Sequence, residues 1–357
     1  MVNGPIKGRG AITNRASRFD TTVREPDEAA DSGIGIGVPR TEVTEEYARS
    51  IVSTNRSPDI PFDRSINPYR GCEHGCIYCY ARPTHAYLGL SPGLDFETRL
   101  VVKRNAAEQL STELGRKGYR CEPIALGANT DPYQPVERIH RVTREILEVL
   151  HDCRHPITIT TKSALIERDL DLLAAMAERR LVEVQISITT LDGQLARVME
   201  PRATAPARRL ETVRTLADAG VPVRLMVAPL IPFVNDADLE NLITEGARHG
   251  AQSAGYIVLR LPLEIKDLFR EWLEAHFPLR AHRVLACVTE LHGGQLYNPQ
   301  FGKRQTGTGI FADLLRQRFA IALRKSGMRC ELPPLDSSLF RPPRRHAAQL
   351  DLFAEDD

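Results

Sequence analysis

Three cysteines stand close together in the stretch Asn67-Pro-Tyr-Arg-Gly-Cys72-Glu-His-Gly-Cys76-Ile-Tyr-Cys79-Tyr80. Three thiolates on one tight loop can each take one iron of a cubane cluster, leaving a fourth iron open to a ligand. Gly71 and Gly75 allow the backbone turns that such a loop requires. Thiolates also suit zinc, with His74 or another residue as a fourth ligand. Zinc knots show two closely spaced ligand pairs at a longer separation. Here there is one triple, and Cys121, Cys153, Cys287 and Cys330 are scattered singly.

The elements around this loop set its position. Residues 1–58 are rich in Gly, Arg, Asp, Thr and Ser without a sustained apolar period. They read as a mobile N-terminal arm, with a helical stretch near Glu45–Ile51. From Ile66 onward, short β-branched runs alternate with amphipathic segments. Strands are expected around Ile66 and over 123–127, 157–161, 182–188, 223–228 and 254–259. Between them lie helices, one with Ile139, Val142, Ile146 and Val149 on its apolar face. Another spans Asp169 to Arg179, a third is opened by Thr204 and Pro206 and closed by Gly220, and a fourth is capped by Asn235. The expected fold is α/β, a partial (β/α)6 TIM-like barrel over residues 59–262. A helical C-terminal extension is expected over 263–332 and a disordered tail over 333–357. In such barrels chemistry sits on the loops that follow the strands.

Composition narrows the class. The chain has 357 residues, 42% hydrophobic and 26% charged, with a net charge of +1. That balance excludes a uniformly basic nucleic-acid binder and an acidic solvating chain, though not a local basic groove. The N-terminal residues lack the apolar core of a secretory signal and no run is long enough to span a membrane. A cytoplasmic setting without membrane attachment is expected, where thiols stay reduced.

The C-x3-C-x2-C spacing, with an aromatic before the last cysteine and a first strand upstream, resembles the radical S-adenosylmethionine (SAM) superfamily. The resemblance implies that Cys72, Cys76 and Cys79 hold a [4Fe–4S] cluster whose open iron binds the methionine end of SAM. It also implies reductive cleavage of SAM to a 5′-deoxyadenosyl radical, with electrons from a reductant protein such as flavodoxin or ferredoxin. SAM contacts are then expected at the strand ends. Asn129, Thr130 and Asp131 would face its amino group and Lys162 its carboxylate, with Ser163 beside it. Ser187 and Thr189 would meet the ribose, and Glu200 in Glu200-Pro-Arg would complete the set.

Within the superfamily, the cysteine loop, Asn-Thr-Asp-Pro-Tyr-Gln-Pro, Thr-Lys-Ser and Glu-Pro-Arg are similar to the branch of spore photoproduct lyase, a DNA-repair family. That likeness implies a DNA or other nucleic-acid substrate, with Tyr78 and Tyr80 as radical relays. The lyase's hydrogen-donating cysteine has no counterpart in Gly127-Ala-Asn-Thr, and Cys121 precedes the strand. A peptide or small-molecule substrate is the second expectation, and a non-catalytic scaffold stabilised by zinc or a cluster the third. In the tail, Gln349, Leu350, Asp351, Leu352 and Phe353 resemble the bacterial sliding-clamp binding motif, which implies docking on that clamp.

Overall fold

The computed structural model describes residues 4–20 and 39–343. Its strands in chain order are β1 (Glu42–Glu46), β2 (Val52–Thr54), β3 (Arg64–Ile66), β4 (Tyr69–Arg70), β5 (Arg99–Lys103), β6 (Ile124–Leu126), β7 (Ile157–Thr161), β8 (Val182–Ser187), β9 (Val223–Leu230) and β10 (Ser253–Val258). Six of them, β3 and β6 to β10, are parallel neighbours in one sheet, with β2 antiparallel at its edge. This is the expected six-stranded βα series. A second, smaller sheet has the order β1-β5-β4.

The helices are α1 (Asp95–Thr98), α2 (Ala106–Leu114), α3 (Glu137–His140), α4 (Val142–Asp152), α5 (Leu170–Ala177), α6 (Gly193–Met199), α7 (Pro206–Asp218), α8 (Leu239–Arg248), α9 (Ile265–His276), α10 (Ala281–Leu291) and α11 (Ile310–Ser326). None among the described residues is long and apolar enough to cross a membrane.

Register shows how the sheet makes a site. Side chains alternate between faces along each strand. Ile157 and Ile159, Val182, Val184 and Ile186, and Val223, Leu225 and Val227 are fully buried and share the main core with Leu173, Met176, Val213, Leu216 and Leu242 of the helices. The alternate residues form rows across the opposite, concave face: Ala125–Thr158–Glu183, Gln185–Arg224–Ser253 and Ser187–Met226–Gly255. That face is largely polar, as a binding cleft requires and a filled barrel does not. Lys162 and Thr189 continue it beyond the strand ends. A Cβ on Gly255 would lie 2.9 Å from the Arg224 guanidinium, which would have to swing aside.

Several expectations change. The helix near Glu45–Ile51 is absent: Glu42–Glu46 pairs in parallel with β5, and Val52–Thr54 pairs with β3. Ile139 is 79% exposed, because α3 ends at His140 and a new helix starts at Val142 with a different face inward. Asn235 does not cap a helix. Its amide is buried and ties Ile231 N–H to the carbonyls of Thr189 and Pro229. Residues 4–20 strap the body, with Thr13 and Arg15 on Glu271 and Arg18 on Glu264.

Past Leu332 the chain stays docked as far as it is described. Arg341 N–H donates to the Cys153 carbonyl, and Phe340 packs edge-on against His155. The sliding-clamp-like residues 349–353 lie outside the described residues.

His155 is buried, with Nδ1 2.9 Å from the Pro156 carbonyl and Nε2 2.8 Å from the Tyr119 hydroxyl. A carbonyl only accepts, so Nδ1 carries the proton and Nε2 accepts from tyrosine, which fixes a neutral ring. Burial pulls this imidazole, and that of His85, down to about 4. Folded values below the unfolded 6.5 mean that the unfolded chain takes up protons first as pH falls. Stability is therefore expected to be full above pH 6.5 and to decline toward pH 4, by on the order of 2 kcal/mol per histidine at pH 5. Urea titrations at pH 7.5 and 5 check this, and equal midpoints would contradict it.

Candidate active site

The cysteine loop follows β4 and ends in the 3-10 helix Arg82–Leu88. Gly71 and Gly75 sit at φ of 76° and 68°, a left-handed backbone that suits glycine. A Cβ on Gly71 would come 2.6 Å from Leu100 and 2.9 Å from the Phe96 carbonyl. The loop is held from several sides. Cys72 N–H donates to Phe96, Ile77 N–H to Met199, and Arg202 N–H to His74. The Gln134 amide accepts from Glu73 N–H and donates to the Gly71 carbonyl. Beneath it, the buried Arg82 guanidinium meets the carbonyls of Gly75, Cys76, Pro92 and Gly93 and the Glu97 carboxylate at 2.5 Å. Glu97 also accepts from Gly10 and Ala11 N–H, so the N-terminal strap helps to clamp the loop. The extension closes the other side: Trp272 and Leu268 share an apolar cluster with Cys76, Ile77 and Tyr78.

Cys72 and Cys76 are buried and Cys79 nearly so. Burial pushes all three thiols up, Cys76 to about 12 with Lys162 opposing. Thiolates form at such a place only when a bound cation compensates them. Among the described residues no three His, Cys, Asp or Glu side chains could hold a single metal ion. A cubane asks instead for one thiolate at each of three separate irons. Three shielded thiols on one glycine-turned loop fit that demand.

The expected SAM residues divide into two groups. Thr130, Asp131, Ser163 and Glu200 are engaged by the protein itself. Thr130 Oγ1 donates to the Tyr69 carbonyl, and Ser163 Oγ caps the turn at Leu165 N–H. Asp131 accepts from Thr161 Oγ1 at 2.7 Å and Lys162 N–H at 2.8 Å, with His74 Nδ1 at 3.2 Å. Burial opposes its charge, but His74 and these donors hold its carboxyl below the usual range. Glu200 is buried against Arg209 and the Tyr78 hydroxyl. Burial again opposes its charge, while Arg209 and Lys162 keep it low. These four residues build the floor of the site.

Asn129, Lys162 and Ser187 form no side-chain hydrogen bond to the described residues; Ser187 lies in a row of the concave face, Lys162 continues one, and Asn129 sits on the loop after β6. The Lys162 ammonium lies 5.8 Å over the Tyr78 ring. Thr189 Oγ1 is buried with no partner. An orphaned hydroxyl just past β8 and an unpaired ammonium beside the cysteine loop are what a bound carboxylate and hydroxyl-bearing ligand would satisfy.

The two tyrosines differ. Tyr78 is buried with its hydroxyl on Glu200, and burial and the nearby negative charges hold the phenol protonated. Tyr80 is 46% exposed, its hydroxyl on the Ala128 carbonyl, and the Arg260 guanidinium stacks 5.2 Å over its ring. Arg82, Glu97, Gln134 and Arg209 escaped the sequence reading. Arg209 carried a signal: it falls on the apolar stripe of Pro206, Leu210, Val213 and Leu216, where a charge needs a buried partner.

A family model, Radical SAM superfamily, matches residues 66–245. This chain belongs to the radical SAM superfamily. Similar chains span most of its length. A Mycobacterium tuberculosis protein described as uncharacterised is 36% identical over 269 residues, covering 74% of this chain and 75% of that one. One from Methanocaldococcus jannaschii is 27% identical, covering 67% and 85%. Among solved structures, spore photoproduct lyase complexed with dinucleoside spore photoproduct superposes with a TM-score of 0.55 at 16% identity, covering 79% of each chain. That degree of likeness shows a common fold. The radical SAM cofactors are a [4Fe–4S] cluster and SAM, which together supply one-electron cleavage of a carbon–sulfur bond. Cys72, Cys76 and Cys79 would hold the cluster in this radical SAM enzyme, while the clamped loop fixes their positions and the apolar cluster around Cys76 keeps water from them.

Proposed function

We propose that this radical SAM enzyme acts on DNA or another nucleic acid, in repair or modification. The observation that carries the reading is the mouth of the site. Exposed Tyr80, next to Cys79, forms one layer of a stack with Arg260 and with Tyr297, whose ring lies 5.9 Å from the same guanidinium. Flat aromatic and guanidinium surfaces at a cleft suit nucleobases, which stack on them whatever their sequence. The spore photoproduct lyase structures, one with bound AdoMet and the dinucleoside lesion, support the same substrate class.

In this reading Tyr80, on the substrate side, relays the hydrogen atom, and Tyr78 supports the loop through Glu200. Asn129, Lys162 and Ser187 bind SAM, and Thr130, Asp131, Ser163 and Glu200 position them. A flavodoxin or ferredoxin supplies the electron in the cytoplasm. The strand end at Gly127-Ala-Asn-Thr lacks a cysteine, so the hydrogen donor differs from that of the lyase.

The test is the rate of 5′-deoxyadenosine formation by anaerobically reconstituted enzyme with SAM and dithionite. Single-stranded and damaged DNA are expected to raise that rate severalfold over enzyme alone. A rate raised by a peptide or metabolite pool, and untouched by nucleic acid, would move the substrate to that other class.

Gln349–Phe353 would bring the enzyme to the sliding clamp on DNA. A pull-down with purified clamp is expected to retain the full chain and to lose it on a double Leu352→Ala, Phe353→Ala change. Equal retention of both chains would remove the docking role.

A further inference from the structure

A cavity of about 150 Å3 opens beside the cysteine loop, where the smaller sheet meets the edge of the barrel. Ser53, Asn67, Arg70, Thr84, Lys103 and Asn129 line it, and no carboxylate does. Two of these tie it to the active site. Thr84 lies in the 3-10 helix that follows Cys79, and Asn129 adjoins Ala128, whose carbonyl receives the Tyr80 hydroxyl.

The donors can be counted. Arg70 spends the N–H of Nε and one of Nη2 on Glu46, at 2.9 and 3.0 Å, which leaves three donors, two of them on Nη1. Asn67 Oδ1 already accepts from the N–H groups of Asn129 and Thr130, so its amide has only donors left to offer. The Asn129 amide and the Lys103 ammonium form no hydrogen bond or ion pair with the described residues. Partial burial and the like charge of Arg70 bring the Lys103 amine down to about 8, with Glu46 opposing. A lysine so placed gains most from a ligand that brings negative charge. An unpaired ammonium, the free side of a guanidinium already paired with Glu46, and amide donors surround a small void with no carboxylate in its lining, which is complementary to a compact oxyanion.

We propose that this cavity is a phosphodiester subsite, in which Lys103, Arg70 and the amide of Asn67 hold one phosphate of the substrate strand, beside the SAM-binding Asn129, while a neighbouring base reaches Tyr80. Phosphate contacts of this kind set the register of a strand without reading its sequence. The inference rests on the nucleic-acid reading above and adds to it where the backbone is held.

Binding of a short fluorescein-labelled single strand to the reconstituted enzyme, followed by anisotropy across a salt series, tests it. Lys103→Gln is expected to weaken binding severalfold and to flatten the slope of log K against log salt by about 0.7, the share of one phosphate contact. Lys103→Arg is expected to restore most of both. A second readout avoids any variant: acetic anhydride labelling of the wild type, read by mass spectrometry, should show Lys103 protected when the strand is bound. An unchanged slope in Lys103→Gln, or no protection of Lys103 while the strand is bound, overturns the subsite and leaves the nucleic-acid reading standing. Failure of the wild type to bind any strand removes both.

Discussion

Replacing any one of Cys72, Cys76 or Cys79 by alanine is expected to abolish 5′-deoxyadenosine formation from SAM and dithionite while the chain stays folded. The three thiols sit on a single loop whose backbone is fixed by Gly71 and Gly75 and by N–H bonds to Phe96 and Met199. No other cysteine can stand in. Cys121 precedes β6, away from the strand ends that carry the site, Cys153 follows α4 behind the sheet, and Cys287 lies in α10. Cys330 is exposed beyond α11. Alanine fits these positions, because the change removes only a sulfur atom and keeps the Cβ. Iron and sulfide content, circular dichroism and product chromatography on each variant separate loss of the cluster from loss of the fold. Cys121→Ala serves as the control and should match the wild type. Turnover surviving in any one of the three variants would refute the assignment.

Much of this was legible in the sequence because the barrel announces itself through period. The six parallel strands fall where β-branched runs alternate with helical stripes, and the cysteine spacing names the loop. What stayed hidden depended on contacts between distant residues. Glu42–Glu46 becomes a strand only because β5 offers a parallel partner, and nothing local marks it. Phe340 looks like part of a tail until His155 and Tyr119 form its seat. The site residues divide the same way. Position at or just after a strand's end singled out Lys162, Asn129 and Ser187, since strand ends converge at one rim. It could not tell them from Asp131 and Glu200, whose oxygens are consumed by His74, Thr161, Arg209 and Tyr78. Whether a polar group faces a ligand or a neighbour is decided by packing.

Arg82→Met is expected to cost about 3–5 kcal/mol of folding stability, the usual penalty for stripping one partner from a buried ion pair. Arg82 and Glu97 are both fully buried. The guanidinium has five N–H donors, and five acceptors surround it: the carbonyls of Gly75, Cys76, Pro92 and Gly93 and one Glu97 oxygen. Methionine fills comparable space but leaves Glu97 with only the Gly10 and Ala11 N–H groups and leaves the carbonyls bare. Two of those carbonyls belong to the cysteine loop, so cluster uptake should fall along with stability. Lysine, with three donors on a single atom, reaches too few of the five acceptors and should restore only a part. Adding Glu97→Gln to Arg82→Met removes the stranded charge. The double variant should therefore be more stable than the sum of the single losses implies, by about 1–3 kcal/mol. Guanidinium unfolding of the four chains, with iron content measured in parallel, checks both numbers. A loss below about 1 kcal/mol in Arg82→Met would mean that water or a relaxed Glu97 replaces the guanidinium, and that the loop is held chiefly by its own backbone.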